Sequence, residues 1–317
     1  MIASDLRAID FQKLDISEYS RNYILRMMPS IDYYLQIYGS CVQNVLCEMG
    51  RPASELAVVD YGGGHGFLSC LLKKMGFGKV IYIDFNPLAV NAVKIIGKTL
   101  GYGPDETLEG GSDVLREWCA KSGVAPQILF GMDVIEHVYR LDLFFSDLVA
   151  INPCMRMIFT TGSTPYNPMV GRRLRKVMVS DELGPNGFLA QRRVRIAQHF
   201  PNLDEDMLDY WAAQTRGLTF ADTISAVENG RAKPPADPYN TCDPETGSWT
   251  ERILPLKEYQ HIVEACGLQV SVGSGFYNTH RSGAKKIPSV LLNVLLHCKC
   301  LRMLAPFIIL SVEPKHK

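Results

Sequence analysis

Asp60-Tyr61-Gly62-Gly63-Gly64-His65-Gly66 is the stretch on which the fold turns. A short apolar run at 56–60, Leu-Ala-Val-Val-Asp, leads into it, and an apolar helical stretch at 67–75 leads out. Glycines at a strand-to-helix junction let the backbone turn tightly and approach a ligand closely, with the amides of the helix N-terminus facing it. The same rhythm continues downstream. Strands are predicted at 79–84, 127–130 and 155–160, with helices at 88–100, 114–120 and 141–151. Further on, a helix is predicted at 256–266 and strands at 268–272 and 307–312. Strands and helices alternating at these lengths predict an α/β protein with a mostly parallel sheet and helices on both faces.

Upstream, residues 1–50 read as a helical cap. Ile16, Tyr19, Tyr23 and Met27 recur at helical spacing, Pro29 ends the run, and Ser30 is placed to cap the next helix. That helix carries Leu35, Tyr38, Val42, Val45 and Met49 on one stripe and stops at Gly50. Residues 51–163 form the core. Residues 164–254 break the rhythm with polar, Pro- and Gly-rich sequence and two predicted helices, 203–216 and 220–229. A structureless loop of that length is uncommon, so this segment reads as an inserted lid or substrate subdomain. Residues 255–317 then complete the core sheet.

The 317 residues include 47% hydrophobic and 21% charged side chains, ordinary for a globular chain and wrong for a disordered or fibrous one. Lys plus Arg and Asp plus Glu are 33 each, so overall charge argues neither for nor against a nucleic-acid partner, and any such argument rests on local clustering. Nine cysteines contain no C-x-x-C pair, the closest spacing being Cys298-Lys299-Cys300. No metal site is expected from this pattern, which suits free thiols in a reducing cytoplasm. The N-terminus lacks the basic flank and apolar core of a signal peptide. The apolar run at 287–298 is too short to span a membrane. Flanked by Lys285 and Lys286, it suits a peripheral membrane contact.

Two acidic residues accompany the glycine loop. Asp84 ends the second strand, where a carboxylate can accept both hydroxyls of a ribose. Asp113, in Gly110-Gly111-Ser112-Asp113, either edges an adenine pocket or caps the helix at 114–120. A dinucleotide fingerprint would want a third glycine at 67, where Phe67 stands. The motif instead resembles the acidic-x-Gly-x-Gly-x-Gly loop of class I S-adenosylmethionine-dependent methyltransferases, and Asp84 resembles their ribose-binding acid. Asp133-Val134-Ile135-Glu136-His137-Val138 is similar to the segment after the fourth strand in the small-molecule branch that includes ubiquinone-biosynthesis O-methyltransferases. The resemblance covers residues 56–163 and, more loosely, 249–313; it does not reach 1–50 or 164–254. It implies a Rossmann-like seven-stranded sheet with the 307–312 strand antiparallel. It also implies S-adenosyl-L-methionine held by Asp60, Gly62, Gly63, Gly64, Gly66, Asp84, Asp113 and Asp133. The rival readings are a nicotinamide-dependent oxidoreductase and a non-catalytic binding protein on the same fold.

For chemistry, His137 is the leading base, because it follows the fourth strand at the carboxyl edge of the sheet and imidazole titrates near neutrality. Glu136 reads as its orienting partner, a metal ligand or a solvated carboxylate, the last being favoured. Tyr166 follows the fifth strand and points toward the same edge. His65 is expected to contact the cofactor or fill space, His199 and His280 to reach a substrate, and His261 to sit on a helix surface or in the core. Arg172, Arg173, Arg175, Lys176, Arg192, Arg193 and Arg195 face only Asp181 and Glu182 in the local sequence. This cluster is either a solvated helix surface or a site for an anionic acceptor held by Arg172, Arg173 and Arg175. A small molecule or glycan acceptor is expected, such as a nucleotide sugar, a phosphorylated glycan or a lipid-linked sugar. Nucleic acid is not, since aromatics do not interleave the cluster.

Overall fold

The computed structural model describes residues 2–283, 286–298, 301 and 304–315. Helices α1 (Ile2–Arg7), α2 (Glu18–Met27) and α3 (Ile31–Met49) precede the sheet, with a 3-10 turn, Met28–Ser30, between the last two. Then follow β1 (Ala57–Tyr61), α4 (Phe67–Lys74), β2 (Lys79–Asp84), α5 (Pro87–Leu100), β3 (Glu106–Glu109) and α6 (Ser112–Ser122). β4 (Ile128–Met132), α7 (Leu141–Ile151) and β5 (Arg156–Thr161) complete the parallel part. The insertion holds α8 (Pro168–Leu183), α9 (Phe188–His199), α10 (Glu205–Gln214) and α11 (Phe220–Glu228). The chain ends with α12 (Leu256–Ala265), β6 (Leu268–Ser274), α13 (Lys286–Leu295) and β7 (Ile308–Pro314).

The seven strands lie in the order β3-β2-β1-β4-β5-β7-β6. The first five pair in parallel, and β7 runs antiparallel to both β5 and β6. This is the Rossmann-like sheet the sequence predicts, with its last strand reversed. Central strands are apolar on both sides: Val58, Val59, Val80, Ile81, Ile83, Leu129 and Phe130 are all buried. One face packs against α6, α7 and α12 through Leu115, Phe144, Phe145, Tyr259 and Val263. The other packs against α3 and α4 through Val42, Val45, Leu68 and Leu72. β1 lies between β2 and β4, so chain crossovers leave in opposite directions there and open a crevice at the strands' carboxyl ends.

Gly50 ends α3 in the left-handed conformation (φ 60°), its N–H returning to Leu46 O, as the sequence predicts. Ser30 departs from expectation. It precedes α3 but makes no capping hydrogen bond, because the helix follows directly on the 3-10 turn and leaves Ser30 at φ −114°, ψ 17° rather than extended. Strand β3 and helices α8 and α9 were not foreseen. β3 is a polar edge strand, Glu-Thr-Leu-Glu. α8 buries only Gly171, Leu174, Met178 and Glu182, too thin an apolar stripe to announce itself. α13 exposes Ile287, Val290, Leu291, Val294 and Leu295. Lys285 of its expected basic flank lies outside the described residues, and no described helix is long and apolar enough to cross a membrane.

The insertion is organised around a buried ion pair. Arg192 of α9 is fully buried, 2.6 Å from Glu182 of α8, and donates to Ala212 O of α10. Thr241 Oγ1 donates to the same carboxylate at 2.7 Å. Removing one member of such a pair leaves an uncompensated charge in a dry interior. Arg192→Ala is expected to destabilise the protein by about 3–5 kcal/mol, measured as a lowered midpoint in urea denaturation; an unchanged midpoint would refute that role.

Candidate active site

The glycine loop is pinned by β2. Tyr82 donates its hydroxyl to Gly64 O, and Asp84 accepts from Gly64 N at 2.9 Å and from Asn86 N at 2.8 Å. A Cβ on Gly63 would stand 2.7 Å from both the Asp60 carboxylate and the Tyr82 ring, so the loop closes only on glycine there. Gly64, at φ +53°, faces open space instead. Asp60 is buried beneath the loop, accepting from Ser69 Oγ at 2.6 Å. Burial pushes its carboxyl up to about 7, against the hydrogen bonds from Ser69. His65 is 5% exposed and stacks on Tyr23 with ring centroids 4.6 Å apart. Neither of its ring nitrogens has a hydrogen-bond partner among the described residues, and burial lowers its pKa to about 4.

Two hollows meet at this loop. One is lined by Tyr23, Tyr38, Asp60, Gly62, His65 and Met132. The other, about 420 Å³, is lined by Tyr61, Asp84, Phe85, Gly110, Gly111 and His137 among others. Asp84, the backbone before α6, His137 and, from the insertion, Thr246 and Ser248 are its polar members. Asp113 sits exposed in the first turn of α6, outside this lining, and Gly111 rather than Asp113 holds the cap position.

Beyond the loop, the chain after β4 gathers ionisable groups. Asp133 adopts φ 52°, a left-handed conformation costly for a residue other than glycine. Its side chain is wetted from the cleft, yet crowding by the protein and then the charge of Glu251 raise its pKa, with His137 and Arg173 opposing. Its charge also reaches Tyr23 and Tyr38 on one side and Tyr33 and Tyr34 on the other. A second 3-10 turn, Ile135–His137, holds the next two groups. His137 Nδ1 lies 2.7 Å from Trp249 O. A carbonyl only accepts, so Nδ1 carries the proton and Nε2 keeps the lone pair a base needs. Glu136 is 2% exposed, which overturns the expectation of a solvated carboxylate: the turn tucks it under the sheet. Burial holds its carboxyl well above the usual range, and Oε2 has no partner. Glu251, which accepts from Ser163 Oγ at 2.6 Å, closes the group from the end of the insertion. Glu136, His137 and Glu251 each bring one donor atom within 4.8 Å of the others, two hard carboxylates and one borderline imidazole, a set able to hold a divalent transition-metal cation. Glu251 was missed because nothing in the local sequence links it to the β4 turn.

The remaining predicted residues are dispersed. Tyr166 is 37% exposed and lines neither hollow. His199 packs on Phe200 beside Glu228, and His280 pairs with Gln36. The basic cluster dissolves into pairs within α8 and α9 and with later segments of the insertion. Arg192 takes Glu182, Arg193 takes Glu205 and Asp209, and Arg175 takes Asp237 at 2.8 Å. Arg172 and Arg175 line a groove on the outside of α8, whereas Arg173 faces the cleft near Asp133.

No family profile matches the chain, and no curated protein matches it by sequence. Among solved structures it is similar to magnesium protoporphyrin IX methyltransferase of Synechocystis PCC 6803 with bound SAH, at 16% identity and a TM-score of 0.40 over 89% of this chain and 83% of that one. It is also similar to an S-adenosylmethionine-dependent methyltransferase of Mesorhizobium loti, at 13% identity and a TM-score of 0.41 over 85% of this chain and 96% of that one. A third structure, SMU.776 complexed with SAH, is 7% identical at a TM-score of 0.31, and the chain spans about a third (35%) of its length. At such values the fold stands on the strand order itself.

His65 generates a pH prediction. Its folded pKa lies below the ordinary 6.5, so the unfolded chain takes up a proton that the folded chain refuses. Stability therefore falls as pH drops from about 6.5 toward about 4, by up to roughly 3 kcal/mol from this group. His65→Phe should remove that component in denaturation curves recorded across the interval; parallel curves for variant and wild type would show that His65 contributes none of it.

Proposed function

We propose that this chain is an S-adenosyl-L-methionine-dependent methyltransferase acting on oxygen of a small molecule or glycan that carries an anionic group. One observation carries the reading: at the switch point of the sheet, Asp84 at the end of β2 and Gly62 of the glycine loop border a hollow closed by Phe85 and the Gly110–Gly111 backbone. An adenosine needs a carboxylate for the ribose hydroxyls, apolar surface for the base and backbone amides beside it, and that donor set is present. Buried His65, whose two ring nitrogens have no hydrogen-bond partner among the described residues, lines the hollow on the other side of the loop. Asp84 would hold the ribose, Phe85 and residues 110–111 the base, and the loop with Asp60, His65 and Asp133 the remainder. When bound, the cofactor supplies an electrophilic methyl group on a sulfonium.

The chain's own part is positioning and proton handling. His137, its tautomer set by Trp249 O, is placed to accept the acceptor's hydroxyl proton at Nε2. Its orientation comes from the insertion as well as from β4, since Trp249 N donates to His137 O and Arg252 N to Glu136 O. A second reading of the same cluster is favoured by the buried, unpartnered Glu136 Oε2. Glu136, His137 and Glu251 would hold a divalent cation, and the acceptor oxygen would lose its proton beside it.

Calorimetric titration with S-adenosylhomocysteine and with NAD separates this reading from its rivals, since binding of the former alone is expected. Asp84→Asn should weaken that binding by on the order of 2 kcal/mol; full affinity in a folded variant would remove Asp84 from the site. His137→Ala should lower labelled-methyl transfer into a cell extract by roughly a hundredfold or more, with cofactor affinity unchanged. Loss with Asp133→Asn but not with His137→Ala would move the base to Asp133. Loss of transfer on chelation, restored by Mn²⁺ in wild type but not in Glu251→Gln, would select the cation reading.

A further inference from the structure

Past Asp133 the cleft widens into a cavity of about 530 Å³ between the start of α3, the start of α8 and the loop after β6. That volume falls within the roughly 300–1,000 Å³ of small-molecule sites. Its lining includes Tyr33, Tyr34, Tyr277, Arg173 and Arg281. The tyrosines do not all offer the same thing. Tyr33 donates its hydroxyl to Phe276 O and Tyr277 to Leu304 O, both at 2.6 Å, so these two present ring surface rather than donors. Tyr34 makes no hydrogen bond among the described residues, so its hydroxyl is available to a ligand.

The two arginines stand out by sharing one cavity. Elsewhere in the insertion Arg175 is matched by Asp237, Arg192 by Glu182 and Arg193 by Glu205 and Asp209. Arg173 and Arg281 have no carboxylate within 4.0 Å among the described residues, although they share one cavity. They come from segments far apart in sequence, so neither helical periodicity nor a surface charge run explains their meeting. Arg173 lies within electrostatic reach of Asp133 and Tyr34, and Arg281 of Tyr33. The cleft is thus polarised, with Asp133, Glu136 and Glu251 at its inner end and two unmatched cations at its outer end.

We propose that Arg173 and Arg281 bind the oxyanion, carboxylate or phosphate, of a ring-bearing acceptor whose ring lies against Tyr33, Tyr34 and Tyr277. Guanidinium forks suit either anion, and the flanking aromatic faces suit a planar ring. Anchored there, the acceptor extends its opposite end toward the acidic pole, where a hydroxyl is wanted and a second anion is repelled. The assignment deepens the methyl-transfer reading and rests on it for which end of the acceptor reacts; the anion site itself does not.

The test titrates phenyl phosphate and benzoate separately into the full chain, followed by calorimetry, with S-adenosylhomocysteine titrated into the same preparations. Saturable binding of at least one probe is expected, weakened about tenfold by Arg173→Gln and by Arg281→Gln. Added salt should weaken it too, and Arg172→Gln, on the outside of α8, should leave it unchanged. Whichever probe binds more tightly identifies the anion as phosphate or carboxylate. Absence of saturable binding of both probes, or a loss confined to one of the two glutamine variants, overturns the proposal. Anion binding that follows the expected pattern in a protein that ignores S-adenosylhomocysteine would overturn the methyl-transfer reading and leave this site standing.

Discussion

Both backbone polar groups of Gly64 are taken by β2: its N–H by the Asp84 carboxylate and its C=O by the Tyr82 hydroxyl. Residues two apart on a strand share a face, so one strand end supplies both contacts. The parallel register that sets Asp60 beside Tyr82 brings that face over the loop. The loop's course, the absence of a side chain at Gly63 and the burial of Asp60 beneath it all follow from this fixed point. The same contacts leave Gly64 turned outward, so one arrangement makes the loop rigid and keeps its outer surface open to a ligand.

A second constraint acts from the opposite side of the cleft. The turn after β4 is also held by residues 249–252, which return from the insertion and donate the N–H groups of Trp249 and Arg252 to His137 O and Glu136 O. Polar groups buried at such a junction cost stability unless matched. The unmatched Glu136 Oε2 and the left-handed Asp133 therefore mark where the fold has accepted unfavourable local chemistry.

What could be read from sequence was what local pattern encodes. β1, β2, β4 and β5 showed themselves because their residues are apolar on both faces, and the glycine loop because only glycine tolerates its turns. Asp84 was legible because a strand end followed by Asn86-Pro87 places it. β3 was hidden because an edge strand half in water has no apolar run, and α8 because its buried stripe includes a glycine and a charged Glu182. Charge counting along the chain failed for Arg175 and Arg193, whose carboxylates arrive from other segments of the insertion, whereas Arg192 takes Glu182, an acid the local sequence already offers. Glu251 and Arg281 failed for the same reason. Their roles are set by tertiary placement, which no spacing rule reports.

The hydrogen bond from His137 Nδ1 to Trp249 O has a consequence for how such a protein can diverge. Residue 249 belongs to the segment that interrupts the sheet, the part free to vary in length and composition while the core stays intact. Exchanging that segment for another would remove the carbonyl that dictates which imidazole nitrogen carries the proton, along with the Glu251 carboxylate. The hollow beside Asp84 would change with it, because Thr246 and Ser248 of the same segment line that hollow. In this architecture the tautomer of His137 and part of the hollow's wall are therefore heritable only as a unit.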